Sequence, residues 1–360
     1  MRILTFSAVS FSLLSLLQPV LAGNWGRKPG DRKDLMHDSH YKRFNVSRGF
    51  SYSYYTVPPA EGKPTLVFLH GFPSTSEDWL RQVAYFKPKG YGLIIPDMLG
   101  FGRSDKPLNV ESYAGSLLAK DVVEIIEAEN ATDVAVIGHD WGSLATSSLA
   151  NRYQDRFTGF AFLTVGYNNP NGTLFDAELT RDATKEQLGY EINGYWWFFS
   201  SPESPAIIRD NIDAFYDVVW AKNPYPAWRY HIAPTGALQS FLESGKRLPR
   251  SKSQSKEEYR RSQERFLKSG YEAPTMTYRY LMSKLGGEDV KSAPEDQWVV
   301  QKPVLFLGAG QDAIAIPEFH QPTPDVMPNA TSKILDSGHW IMFDAEKEVN
   351  KELEAWIKGL

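Results

Sequence analysis

Short, continuous apolar runs recur along the chain at LVFL (66–69), LIIP (93–96), VAVI (134–137), AFLTV (161–165) and VLFL (304–307). Runs of this length bounded by turn residues are the pattern of strands buried on both faces, as in a parallel sheet. SYSYYTV at 51–57 alternates instead, which predicts an antiparallel strand at the sheet edge. Between the runs, LLAKDVVEIIEAEN (117–130) repeats apolar positions three and four apart, and SLATSSLANRY (143–153) follows a strand and a turn directly. Both stretches predict helices. Strand and helix therefore alternate as in an α/β fold, with a mostly parallel central sheet flanked by helices.

The alternation stops after Val165. Residues 166 to about 286 carry aromatic-rich helical segments and a polar loop before VLFL resumes the strand pattern. A helical cap domain inserted into the core explains the interruption. SKIL (332–335) and the amphipathic EKEVNKELEAWI (346–357) close the chain. The polar, charged stretch 27–48 reads as an arm laid over the surface, with regular structure beginning near Phe50. The expected organisation is a leader at 1–22, an N-terminal arm at 23–49, a core in two parts (50–166 and 287–360) and a cap at 167–286. Within the cap, SGKRLPRSKSQSKEEYRRSQER (244–265) reads as a solvated loop running into a surface helix, on which Glu257 can pair with Arg261.

The leader changes the expected compartment. Arg2 precedes ILTFSAVSFSLLSLL, an apolar stretch of 15 residues that ends before Gln18-Pro19 and Val20-Leu21-Ala22. A bilayer span needs about 18 to 20 residues, so this pattern predicts a secretory signal cleaved after Ala22 and a secreted protein with no membrane span. Sequons at Asn45, Asn130, Asn171 and Asn329 suit glycosylation on exposed loops of such a protein. The chain has no cysteine, which excludes disulfides, thiolate catalysis and Cys-ligated metal. With 39 Lys and Arg against 43 Asp and Glu, a net charge of -4, it has no basic field for a polyanion, and nucleic acid is not an expected partner.

The candidate chemistry sits where strands end. VAVIGHDWGSLA places Gly138-His139-Asp140-Trp141-Gly142 between a buried strand and a helix, with glycines two positions either side of Asp140. This is the spacing of a nucleophile elbow, a strained turn that raises the reactive side chain above the sheet. A carboxylate there needs no base to activate it and can attack an sp3 carbon, forming an alkyl-enzyme ester. Resolving the ester requires an activated water and donors for the oxyanion. The strand KIL is followed by Asp336-Ser337-Gly338-His339, and VLFLGAG by Gln311-Asp312, giving nucleophile Asp140, acid Asp312 and base His339 in the chain order this fold uses. Asp312 would fix the tautomer of His339 and stabilise its imidazolium. Upstream, LVFL runs into His70-Gly71-Phe72-Pro73, whose Phe72 N–H could act with that of Trp141 as an oxyanion hole.

HGFP (70–73), GFGRSDKP (100–107), GHDWGS (138–143) and SGHW (337–340) together resemble the α/β-hydrolase superfamily, and within it the soluble epoxide hydrolases, over residues 50–360. The resemblance extends to secreted fungal-type members in the signal, the sequons and a GYWWFF-like segment. It implies a cap that contributes two tyrosines to hydrogen-bond the epoxide oxygen, the acid such chemistry needs on the side away from the carboxylate. By local context these are Tyr195, in GYWWFFSSPESP, and Tyr278, in APTMTYRYLM, with Tyr190 and Tyr280 as the neighbouring alternatives. His70, Pro73, Trp196 and Phe199 are the expected substrate contacts. The implied substrate is a small apolar or aromatic epoxide with water as co-substrate, and no cofactor or metal is expected. Haloalkane dehalogenases share the Asp nucleophile and the DWG string, and would use Trp141 and Trp196 as halide donors. Fluoroacetate dehalogenases resemble the YWWFF segment but carry arginines just after the nucleophile, where this chain has Trp141, Gly142, Ser143 and Leu144. A ligand-binding protein that has lost catalysis is a third reading, and a poised carboxylate beside a base speaks against it. A serine esterase is disfavoured because the elbow carries Asp140.

Overall fold

A computed structural model describes residues 35–170 and 176–360. The predicted signal, the start of the arm and the Asn171 sequon lie outside the described residues. Eight strands form one sheet: β1 (Tyr41–Asn45), β2 (Ser51–Val57), β3 (Thr65–Leu69), β4 (Gly92–Pro96), β5 (Val134–His139), β6 (Gly159–Leu163), β7 (Val304–Ala309) and β8 (Ala330–Leu335), in the spatial order 1-2-4-3-5-6-7-8. β2 runs antiparallel to both neighbours, and every pairing from β4 to β8 is parallel. The continuous apolar runs are the central strands β3 to β7, buried along their whole length.

The arm departs from expectation. Tyr41–Asn45 is a strand, paired from Tyr41↔Tyr55 to Asn45↔Ser51, so regular structure begins before Phe50 and β2 is not the edge. The charges that suggested a surface arm belong to an edge strand, on which Lys42 and Arg43 are exposed while the Tyr41 ring meets Tyr55 at 5.9 Å. Charged side chains on an edge strand also discourage pairing with another chain.

The core helices are α1 (Leu80–Phe86), α2 (Gly115–Ala128) and α3 (Trp141–Tyr153). α3 is built of small residues and is buried over most of its length, letting it lie close over the sheet. The cap follows β6 as α4 (Ala177–Leu188), α5 (Tyr195–Ser200), α6 (Ser204–Asp210), α7 (Ile212–Val219), α8 (Pro224–His231), α9 (Ala237–Glu243), α10 (Lys256–Ser269), α11 (Met276–Met282) and α12 (Lys284–Lys291). α12 runs across the expected boundary at 286 and reaches back to the core, where Asp289 accepts from the Ser116 N–H at 3.0 Å. α13 (Pro317–His320), α14 (Ile341–Asp344) and α15 (Glu346–Ile357) complete the core.

In the charged cap segment, Ser255 and Glu258 form a capping box that starts α10, with the Glu258 N–H donating to Ser255 Oγ at 3.2 Å. One face of this helix is solvated, with Arg260 bridging Glu257 at 2.8 Å. The other is buried through Tyr259 and Phe266, and Arg265 crosses to Glu77 of the core at 3.2 Å. Among the described residues, no helix is long and apolar enough to cross a membrane.

Candidate active site

Four strand ends, those of β3, β5, β7 and β8, converge on one point, the position at which parallel α/β sheets hold their ligands. β5 delivers Asp140 as the residue before α3, with φ 53° and ψ -122°. That positive φ is costly for a side chain, and the surrounding glycines make it possible. A Cβ on Gly142 would strike the Leu69 carbonyl, one on Gly138 the Gly142 backbone, and one on Gly71 the Asp140 carboxylate itself. β3 ends in the HGFP turn, whose Phe72 N–H donates to Asp140 Oδ1 at 2.8 Å. The Trp141 N–H, at the start of α3, also donates to the Asp140 carboxylate. The two expected oxyanion donors thus hold one carboxylate, leaving Oδ2 toward the histidine.

His339, after β8, places Nε2 at 3.6 Å from Asp140 Oδ2. Its Nδ1–H donates to Asp312 Oδ2 at 2.6 Å. Asp312 in turn accepts at Oδ1 from the N–H groups of Ile314 (2.9 Å) and Ala315 (3.0 Å). Nδ1 is therefore the protonated nitrogen of the neutral ring, and Nε2 is the basic one. Burial presses His339 toward neutrality, but Asp312, Asp140 and the more distant Asp344 outweigh it, so the ring holds its proton more tightly than an ordinary histidine. Burial also raises Asp140, opposed by His339 and the two backbone donors, with a net upward result.

Across from the carboxylate stand the two cap tyrosines, Tyr195 at the start of α5 and Tyr278 in α11, their ring centroids 6.0 Å apart. Burial, the dominant influence, and the nearby Asp140 charge both hold each phenol protonated. Tyr278 is fixed edge-on to Trp141 at 4.8 Å and also packs on Phe199 at 4.8 Å. Between tyrosines and carboxylate lies a cavity of about 30 Å³, room for about two waters. Pro73, Phe199 and Ile314 are among its apolar walls, and its only charged groups are Asp140 and His339.

Not every expected contact reaches this cavity. His70 is turned inward, accepting from the Met98 N–H at Nε2 (3.0 Å) and donating from Nδ1 to the Gly71 carbonyl (2.9 Å). Burial pushes it down to about 4, so it locks the turn as a neutral ring and is not among the residues that line the cavity. Trp196 sits behind the walls, 5.7 Å from the Trp141 ring. The alternatives Tyr190 and Tyr280 are occupied elsewhere, donating to the carbonyls of Ala313 (2.9 Å) and Leu285 (3.2 Å). The GFGRSDKP loop folds over the buried carboxylate of Asp97, directly after β4, which accepts from the N–H groups of Ser76 (2.9 Å) and Arg103 (2.8 Å) and stays outside the cavity.

Three residues were missed from sequence. His139 Nε2–H donates to the His339 carbonyl at 2.9 Å, and Thr164 Oγ donates to the same carbonyl at 3.0 Å. Strand alternation puts His139 on the face opposite Asp140, a signal that was available beside the nucleophile. Thr164, with φ 70°, closes β6. The third, Trp228 of α8, has no local signal.

Residues 64–192 match the family model for the alpha/beta hydrolase fold. The pig protein named bifunctional epoxide hydrolase 2 is 24% identical over 82% of this chain, and the chain spans 51% of its length. Epoxide hydrolase B of Mycobacterium tuberculosis is 24% identical over 84% of this chain and 94% of its own. Among solved structures, epoxide hydrolase A of Mycobacterium thermoresistibile superposes with a TM-score of 0.73 at 23% identity, covering 89% of this chain and 99% of the other.

Proposed function

From the premise that this chain belongs to the α/β-hydrolase superfamily, we propose that it is an epoxide hydrolase that works through an ester on Asp140. The observation that carries the reading is the opposition of Asp140 to Tyr195 and Tyr278 across one small apolar cavity, with His339 beside the carboxylate. Its named relatives being epoxide hydrolases supports it.

Asp140 Oδ2 attacks an epoxide carbon, the C–O bond opens, and the alkoxide takes a proton from Tyr195 or Tyr278. The phenols are matched to this step because burial keeps them protonated until a stronger base forms beside them. His339 Nε2 then takes a proton from water, which adds to the Asp140 carboxyl carbon. The oxyanion, at Oδ1, is already faced by the Phe72 N–H, and the Trp141 N–H reaches the same carboxylate. Collapse expels the diol with the former Oδ2, and the proton on His339 returns to the tyrosinate. Epoxide and water give one vicinal diol. The lining favours an apolar or aromatic epoxide.

Single turnover with styrene oxide in oxygen-18 water tests this. The first diol should carry unlabelled oxygen from the protein, and the Asp140 peptide should gain one label. Label in the first diol and none in Asp140 would mean direct attack by water and sink the ester route. Halide release from a haloalkane panel in place of diol would make the chain a dehalogenase.

The proposal extends to secretion. Asn45, Asn130 and Asn329 are exposed, as acceptors must be. Asn329 Nδ2 donates to the Gln301 carbonyl at 2.8 Å and would have to turn away to carry a glycan. Expression in a eukaryotic secretory host should give a medium-borne protein that begins at Gly23 and loses mass with an N-glycosidase; retention in the cell, with Met1 intact, would oppose it.

A further inference from the structure

The base is enclosed by more than the triad. The indole of Trp228 lies against the His339 ring with centroids 4.8 Å apart and planes 35° from parallel. His139 and Trp340 approach the same ring at 4.9 and 5.1 Å, both edge-on, so Trp228 is the one tilted toward a face-on contact. It is also the contact that comes from the cap. Trp228 is 5% exposed and fixed in place: its N–H is shared between the carbonyls of Val218 and Val219, both at 3.1 Å. The Val219 carbonyl accepts as well from the N–H of Trp340, the residue after His339, at 3.1 Å. The Val219 carbonyl, at the end of α7, therefore holds an indole from the cap and an indole from the core that both touch the base.

We infer that Trp228 is a positioning residue whose π-face stabilises the imidazolium form of His339, tying the strength of the water-activating base to the seating of the cap. An aromatic face within about 6 Å of a cation attracts it, most strongly when it is an indole and the pair is desolvated. The imidazolium exists only after His339 has taken a proton from water. The contact therefore favours ester hydrolysis and leaves ester formation alone. Other groups acting on the ring's charge are Asp312, Asp140 and Asp344, with His139 and His320 held neutral by burial. Trp228 adds to the carboxylates by charge attraction, yet as a bulky apolar wall it also dries the ring. These two influences have opposite signs, which makes the inference testable.

The role in ester hydrolysis rests on the proposed reaction; the effect on the His339 proton does not. The first readout is therefore the titration of His339 by NMR on histidine-labelled full-length protein, assigned by its loss in His339→Gln. In Trp228→Leu the midpoint should move to lower pH by about half a pH unit or more, with Trp228→Phe falling between leucine and the wild type. The second readout is the pH dependence of breakdown of the trapped ester. Its acid limb should follow the NMR midpoint and its high-pH plateau should fall about two- to fivefold. An unmoved or raised midpoint in Trp228→Leu overturns the inference, because the indole would then act by exclusion of water alone. Circular dichroism and Tm select variants that keep the fold, and Trp228→Phe, which retains a ring, serves if leucine does not. If the wild type forms no ester, the proposed reaction fails, while the titration still decides the Trp228 contact.

Discussion

The two walls of the site are built by opposite means. On the core side, Asp140, Asp312 and the His339 backbone carbonyl are all held by hydrogen bonds from strand ends and their turns: Phe72 and Trp141 to Asp140, Ile314 and Ala315 to Asp312, His139 and Thr164 to the carbonyl. On the cap side, Tyr195, Tyr278 and Phe199 pack ring against ring at 4.8 to 6.3 Å, and Trp228 adds an indole N–H anchored on the Val218 and Val219 carbonyls. The difference matches the charges each wall must manage. In the proposed reaction a carboxylate and an imidazolium need fixed dipoles in a dry setting, whereas a phenol that would give up a proton once per turnover needs chiefly to be kept dry and protonated. Polar networks tolerate little displacement and packed rings somewhat more, so selectivity should be easier to alter on the cap wall than catalysis on the core wall.

The largest effects should come from the core wall. Asp140→Asn should lower diol formation by on the order of 10,000-fold or more, apart from slow activity if the amide is hydrolysed back. His339→Gln should behave differently: epoxide is still consumed once, and an Asp140 ester accumulates because its breakdown falls by about 1,000-fold. Intact-protein mass spectrometry after mixing with styrene oxide separates the two, and a His339→Gln protein that never gains the substrate mass would remove the division of labour between these residues.

On the cap wall the expected loss is smaller and shared. Tyr195→Phe or Tyr278→Phe should each slow ester formation by about 10- to 100-fold, because the other phenol can still donate, and the double variant by about 1,000-fold or more. Breakdown of an ester once formed should change little. Stopped-flow measurement of protein fluorescence during ester formation reads this. Equal loss in formation and breakdown would mean that the tyrosines serve the fold of the cap rather than the leaving oxygen.

Asp312→Asn probes the link between the walls and the base. Removing this carboxylate takes away the largest influence raising His339, so the ring should hold its proton less tightly. Ester breakdown requires neutral His339; its acid limb should therefore move to lower pH, while the plateau falls by about 100-fold through loss of orientation. A limb that stays in place, measured from pH 5 to 9, would show that the Asp312 charge does not set the base.

How far the sequence disclosed these walls follows from the same contrast. The core wall was legible because its constraints are local: glycines 138 and 142 are demanded by the backbone at Asp140, Asp312 follows the buried apolar strand β7, and His339 follows the short Ile334-Leu335 end of β8. Even there, a motif gave place without direction, for His70 lies in the HGFP turn but faces Met98 rather than the cavity. The cap tyrosines came only from resemblance, since among aromatic-rich helices local pattern cannot tell a site ring from a core ring. Trp228 was invisible, because its position over His339 arises from packing between residues more than a hundred positions apart. β1 was hidden for another reason: as an edge strand it is only partly covered, and its burial runs Tyr41 and Phe44 half-buried with Lys42, Arg43 and Asn45 exposed, so it carries no two-residue alternation to read.

The smallest effect concerns stability, and it runs against the usual direction for losing a polar side chain in a site. A carboxylate paired in a fold normally titrates low and stabilises the protein at neutral pH. Asp140 titrates high, because burial exceeds what His339 and the two N–H donors return. The folded protein therefore binds this proton more tightly than the unfolded chain. By linkage, the Asp140 charge subtracts stability as pH rises from the unfolded value near 3.8 through the folded one, and the full cost persists above both. Asp140→Asn removes that cost while the amide oxygen can still accept from Phe72. The variant should thus melt about 2 °C above the wild type at pH 7. The gap should close toward pH 4, where the wild-type carboxyl is taking up its proton. Calorimetric scans across this range decide the matter: a variant less stable than the wild type at pH 7 would mean that the backbone donors more than offset the burial of this charge.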